Sequence, residues 1–399
     1  MNRSVLRIPL AVSFATLFLS GCGGGGGGGG ISTTNAPSPQ NLPNQVAMTV
    51  EQEPAINAFP TVNLPYVTVT LCDKTGRCQA VDHVVVDTGS YGLRILASAV
   101  TSLNLPITTT GAGGALAECA TFLGGFMWGG VHSATIKIAE ETASSIPVEL
   151  IGDSSLPSTA PTQCQNRGSD IGNLNGIGGN GLLGVGQFLE DQGSYFSCVN
   201  GPSGSCSPTL VAPSNQVSNP VAYFATDNNG VILQLPAISI YGQKSATGTL
   251  TFGIDTQANN SLANFRILPA DYLGNFTATI SGQLYTQSFI DSGSNYNFMT
   301  LPGYNTNIYG DYAPPGYTTL AGTLTSNSIP SSPPIPIQLG MINTNMLNFS
   351  SFTAFNDIID PGSPGTADLG MPFIYGQSIA LLISGKQVNE GVGPLFGFH

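Results

Sequence analysis

From about residue 46 to the end, apolar positions fall in short runs of Val, Ile, Thr, Ser and aromatic residues, each cut by Gly, Pro, Asn or Asp. No long stretch carries the 3.6-residue apolar period of an amphipathic helix, so the pattern predicts an all-β protein with many turns. Residues 115–138, ALAECATFLGGFMWGGVHSATIKI, alternate about Gly124-Gly125 and again about Gly129-Gly130, which reads as a hairpin. One run ends unusually. VVVDTGSYGLRIL, residues 84–96, stops at the carboxylate Asp87 and makes an Asp-Thr-Gly-Ser turn before becoming apolar again.

That turn has a second copy. FIDSGSNYNFM, residues 289–299, brings another apolar lead-in to Asp291 and then Ser-Gly-Ser. Each copy is followed by an apolar-Leu-Gly element: Leu182-Leu183-Gly184 after the first, and Asp368-Leu369-Gly370 after the second. The same order of motifs in each half of the chain is the mark of internal duplication. It predicts two lobes, 46–215 with Asp87 and 216–399 with Asp291.

Composition narrows the function. The formal charge is −12 with 10 Lys and Arg scattered along the chain, which argues against nucleic acid as a partner. Residues 1–21 carry Arg3 and Arg7 and an apolar run, and end in Leu-Ser-Gly before Cys22. This resembles a bacterial lipoprotein signal, with lipid carried on Cys22. Residue 23 is Gly rather than Asp, which by analogy favours the outer membrane. Gly23 to Gly30 and the polar stretch after it read as a flexible tether, residues 22–45, between the lipid and the folded body.

The other six cysteines of an exported chain imply up to three disulfides, among fifteen connectivities. Proximity favours Cys72–Cys78 and Cys198–Cys206 as hairpin staples, leaving Cys119–Cys164. There is no paired CxxC, and His83, His132 and His399 are far apart, so no metal site is expected. GIGGNG, residues 176–181, matches a dinucleotide-binding string but has no βαβ context, and reads as a turn into a core strand.

The two Asp-[Thr/Ser]-Gly-Ser loops, the two later Leu-Gly elements and GTLTFGIDTQANN (248–260) together resemble the pepsin-like, bilobal aspartic proteases over roughly residues 62–398. The closing stretch LGMPFIYGQSIALLI adds to the match, and the arrangement also resembles an uncharacterised family of bacterial lipoproteins. The resemblance implies two β-barrel-like lobes with a cleft for an extended peptide, and Asp87 and Asp291 as a catalytic pair. Thr88 and Ser292 would brace the loops, Gly89 and Gly293 would permit close approach, and Ser90 and Ser294 would hydrogen-bond the aspartates. Two carboxylates about 3 Å apart share one proton, so one can activate water while the other polarises a carbonyl; no cofactor is needed.

The match is poorest at the flap. The family hangs a Tyr over the pair and often sets a Trp seven residues after the first aspartate. Here the flap candidates are Phe122 and Trp128, and Arg94 takes the Trp position. Two readings follow: an envelope-anchored, monomeric aspartic endopeptidase, or a non-catalytic lipoprotein that uses the cleft to bind a peptide, glycan or protein. A glycosidase would need carboxylates about 5–9 Å apart.

Overall fold

The computed structural model describes residues 42–53, 56 and 61–399. The leader, Cys22 and nearly all of the tether lie outside the described residues. Strands make up 44% of the described residues and helices 8%, so the fold is all-β.

The first half is built from ten strands: β1 (Gln45–Val50), β2 (Pro65–Cys72), β3 (Cys78–Asp87), β4 (Tyr91–Leu96), β5 (Ala115–Phe122), β6 (Gly125–Ile138), β7 (Glu141–Ile151), β8 (Gly181–Val185), β9 (Ser194–Val199) and β10 (Ser205–Pro208). In the order β2–β3–β8–β4–β7–β6, six of them close a barrel through the pairing of Leu71 with Ile136. Closure removes the open sheet edges. Val84, Val85 and Val86 of β3 are all buried because that strand has cover on both faces, so its sequence is a continuous apolar run rather than an alternating one.

β8 carries the first Leu-Gly element and runs parallel to β3, with Val86 opposite Leu183 and Asp87 opposite Gly184. Its other edge pairs antiparallel with β4. The strand therefore threads between the two arms of the Asp87 turn and fixes where that turn sits. The second half repeats the device. Strand Gln283–Asp291 runs parallel to Asp368–Gly370, with Ile290 opposite Leu369 and Asp291 opposite Gly370, and Phe298 pairs across from Asp368.

The halves are knit together as well as juxtaposed. β1 pairs along its whole length with Ala246–Phe252 of the second half, from Gln45–Thr251 to Val50–Ala246. A continuous apolar core runs from Met48 to Phe398. Three disulfides are formed: Cys72–Cys78 across the β2–β3 turn, Cys198–Cys206 between β9 and Ser205–Pro208, and Cys119–Cys164 from β5 to the short helix Thr162–Gln165.

Candidate active site

The two aspartates, one from each half, meet at the centre of the molecule. Asp87 and Asp291 are both fully buried, and their carboxyl groups share a hydrogen bond. This contact is far shorter than the spacing a glycosidase needs. Each loop holds its own carboxylate in the same way. Gly89 N–H donates to Asp87 Oδ1 at 2.8 Å, and Ser90 Oγ to Asp87 Oδ2 at 2.5 Å. Gly293 N–H donates to Asp291 Oδ1 at 2.9 Å, and Ser294 Oγ lies 3.1 Å from Asp291 Oδ2.

Thr88 and Ser292 tie the loops to each other. Ser292 N–H donates to Thr88 Oγ1 at 2.9 Å, and Thr88 N–H to Ser292 Oγ at 3.1 Å. The hydroxyls then donate to carbonyls of the opposite lead-in strands, Thr88 to Ile290 at 3.0 Å and Ser292 to Val86 at 2.7 Å. Every buried donor here is used. The glycines permit the approach: a Cβ on Gly89 would lie 2.6 Å from Asp291 Cγ, and one on Gly293 would lie 2.9 Å from Asp87 Oδ1.

Burial, and after it the Asp87 charge and then the Asp368 charge, holds the Asp291 carboxyl well above the usual range. Asp368 belongs to the second Leu-Gly element, and its Oδ2 lies 2.7 Å from Ser294 Oγ. It is buried, and it was not singled out as a site residue from the sequence. The signal was present: it stands where the first half has the apolar Leu182.

Phe122, Met127, Ile171, Ile177, Leu182 and Gly293 surround Asp87 and leave a cavity of about 20 Å³, room for one water. A groove of about 730 Å³ adjoins the loops and is lined from both halves, by Gly89, Phe122 and Phe188 on one side and Tyr272, Gln287 and Phe289 on the other. Of the two flap candidates, Phe122 lines both spaces. Trp128 lines neither: it packs edge-on against Phe196 behind the hairpin, and its indole N–H donates to Pro157 O at 2.9 Å. On a strand, Met127 and Trp128 face opposite ways, and it is Met127 that meets the aspartate.

The flap is not a free hairpin. β5 pairs with β6 on one edge and β9 on the other, and Cys119 staples it to Cys164. At the tip, Phe126 N–H donates to Ser169 O and Ile171 N–H to Phe126 O, both at 2.9 Å.

Arg94 is almost wholly buried and reaches Phe122, with its guanidinium carbon 5.8 Å from the ring centroid. Arg94 and Phe122, the positions of the family's Trp and flap Tyr in the resemblance drawn from the sequence, therefore lie against each other. Arg94 Nη2 lies 2.6 Å from both Glu118 Oε1 and Asp191 Oδ2, and Nε lies 3.1 Å from Glu149 Oε2. Burial opposes the charge on Arg94, but Glu118, Asp191 and Glu149 outweigh it and hold the group cationic. One cation faces three carboxylates, and burial raises Glu118 well above the usual range and Glu149 to about 7. Sequence reading missed these acids, although Glu118 within ALAECATF and Glu149 within PVELI each interrupt an apolar run.

Among the described residues no group of three or more His, Cys, Asp and Glu is arranged to hold a metal ion. His132 bridges Leu105 O at 2.9 Å and Asp153 Oδ2 at 2.8 Å. The GIGGNG string is a turn between the short helix Leu174–Ile177 and β8.

Among solved structures, the aspartic proteinase of Irpex lacteus is similar to this chain in fold. The match has a TM-score of 0.50 at 15% identity, covering 89% of this chain and 96% of the proteinase. No curated protein matches the sequence. Residues 40–398 match the family described as protein of unknown function (DUF3443), and the chain belongs to that family.

Proposed function

We propose that this DUF3443 protein is an aspartic endopeptidase, lipid-anchored through Cys22 in the bacterial envelope, on the outer membrane, and working as a monomer. The observation that carries the reading is the buried, hydrogen-bonded Asp87–Asp291 pair, braced crosswise by Thr88 and Ser292. The pair shares a proton. The ionised carboxylate takes a proton from water while the protonated one polarises the peptide carbonyl, and the roles reverse when the amine leaves. An extended peptide in the inter-lobe groove would bind partly by strand-like backbone hydrogen bonds. No metal or organic cofactor takes part.

Phe122 covers Asp87, lining both its cavity and the groove, so the peptidase reading requires the flap to move when substrate enters. That cover, with the stapled hairpin beneath it, favours a second reading: a lipoprotein that binds a peptide, glycan or protein partner in the groove without cleaving it. One experiment separates them. The soluble domain is incubated with an unfolded protein between about pH 3 and 7, with and without a statine-type inhibitor, beside Asp87→Asn and Asp291→Asn. Cleavage that is inhibited and lost in both variants supports the peptidase. Binding of the unfolded chain without cleavage, equal in wild type and variants, supports the binder.

A further inference from the structure

The two halves treat the outer oxygen of their aspartates differently. In the first half Ser90 Oγ faces one carboxylate, Asp87 Oδ2 at 2.5 Å, and Leu182 occupies the register position next to it. In the second half Ser294 Oγ faces two: Asp291 Oδ2 at 3.1 Å and Asp368 Oδ2 at 2.7 Å. Asp368 stands at the register position of Leu182, since Asp291 aligns with Gly370 as Asp87 does with Gly184. A hydroxyl has one hydrogen and cannot donate to both acids. If both were ionised, the hydrogen would go to the nearer, Asp368, and Asp291 would lose its outer hydrogen bond.

Three carboxyl groups, of Asp87, Asp291 and Asp368, are thus packed together, each no more than 2% exposed. Around Asp368 the acidic groups are Asp87 and Asp291 from the two loops, and Asp360 one strand beyond Asn297–Phe298. None of the ion pairs among the described residues involves it. With Asp291 and Asp368 both ionised, two buried negative charges would face a single hydroxyl hydrogen, which is prohibitively unfavourable, so a proton must be held there.

We propose that Asp368 is a positioning residue for the aspartate pair: it keeps a proton, donates it to Ser294 Oγ, and so turns the Ser294 hydroxyl toward Asp291. The site then carries two protons on three carboxyls, one within the pair and one on Asp368. Burial pushes the Asp368 carboxyl up strongly and the Asp87 charge adds to it, against the Ser294 hydrogen bond. When Asp368 loses its proton, the Ser294 hydroxyl swings to it and the pair loses its asymmetric support. The inference about turnover rests on the peptidase reading; the proton on Asp368 does not.

The test is Asp368→Asn, which keeps the size and a donor to Ser294 but cannot ionise. Thermal midpoints are measured across pH alongside pH profiles of cleavage. At about pH 4 the two proteins should melt together. By about pH 8 the variant should be more stable by several degrees, because it has one buried acid fewer to ionise than wild type. The alkaline limb of cleavage should move up by about one pH unit in the variant. A stability difference that stays constant across pH overturns the proton on Asp368. A pH-dependent difference with superimposed alkaline limbs overturns its positioning role. If neither protein cleaves, the peptidase reading falls, and the melting comparison alone decides whether Asp368 holds the proton.

Discussion

Thr88 and Ser292, 204 residues apart, each accept the other's backbone N–H on a side-chain hydroxyl. This reciprocal pair fixes one aspartate loop against the other, and it couples the halves at the point where a shift of less than an ångström would separate the carboxyls. Thr88→Val keeps the shape but leaves Ser292 N–H without its acceptor in a buried place. The expected loss of stability is about 1–3 kcal/mol by denaturant unfolding. Ser292→Ala should cost a similar amount, and the double variant should cost less than the sum, because each removes one half of the same reciprocal brace and so loosens the loop that the other half holds. Strict additivity would show that the two loops are not coupled through these hydroxyls.

Gly89→Ala tests the close approach. The new methyl would stand 2.6 Å from Asp291 Cγ, so the opposite carboxyl has to move. Peptidase activity should fall by at least about a hundredfold, in line with the sensitivity of such chemistry to displacements of about 1 Å. A variant that keeps wild-type turnover would show that the two carboxyls do not work as a pair.

Arg94→Met should be the most destabilising single change among these residues. It leaves Glu118, Glu149 and Asp191 buried beside one another without their cation. Removing one partner of a buried charge cluster costs about 3–5 kcal/mol. Adding Glu118→Gln should recover part of that loss by removing one of the stranded acids. No recovery in the double variant would mean that packing, rather than charge, is what Arg94 supplies.

The pH dependence of stability has a definite sign. Asp291, Asp368 and Glu118 are raised well above their usual range, chiefly by burial, and burial also raises Glu149 to about 7 and Asp357 to about 6. A raised carboxyl favours folding while protonated. Its contribution is present below the unfolded value of about 4 and is lost as pH rises through the folded value. Asp73, lowered to about 2 chiefly by the Thr75 hydrogen bond, acts the other way, and only below about pH 4. The melting midpoint should therefore be highest near about pH 4–5 and fall steadily toward pH 8. Calorimetry showing a flat or rising midpoint over that interval would contradict the assignment of protons to these buried acids.

Replacing Cys119 and Cys164 together by Ser should cost up to about 4 kcal/mol, the loop-closure term for the 45 residues the bond spans. Because this staple joins the flap strand to the segment under its tip, amide exchange should rise first in residues 115–126 and 162–171. Equal protection with and without the bond would mean that the β5–β9 pairing and the Phe126 hydrogen bonds hold the flap unaided.

Much of this protein was legible before any coordinates. Two apolar runs ending in Asp-[Thr/Ser]-Gly-Ser, each followed by a Leu-Gly element, determine the all-β duplication, because a turn that tight needs small residues and a strand buried on both faces needs an unbroken apolar run. What only the tertiary structure decided is which polar residues inside apolar strands meet. Glu118, Glu149 and Asp191 converge on Arg94 from three separate places in the chain, and Asp368 reaches Ser294 across 74 residues. Trp128 and Met127 are neighbours in sequence, yet the pleat turns Met127 toward the aspartate and Trp128 away from it. A charge within an apolar run marks itself in the sequence as an exception. Its partner lies on another strand, and the register that brings the two together is set by the closed barrel and the paired halves, not by the local sequence.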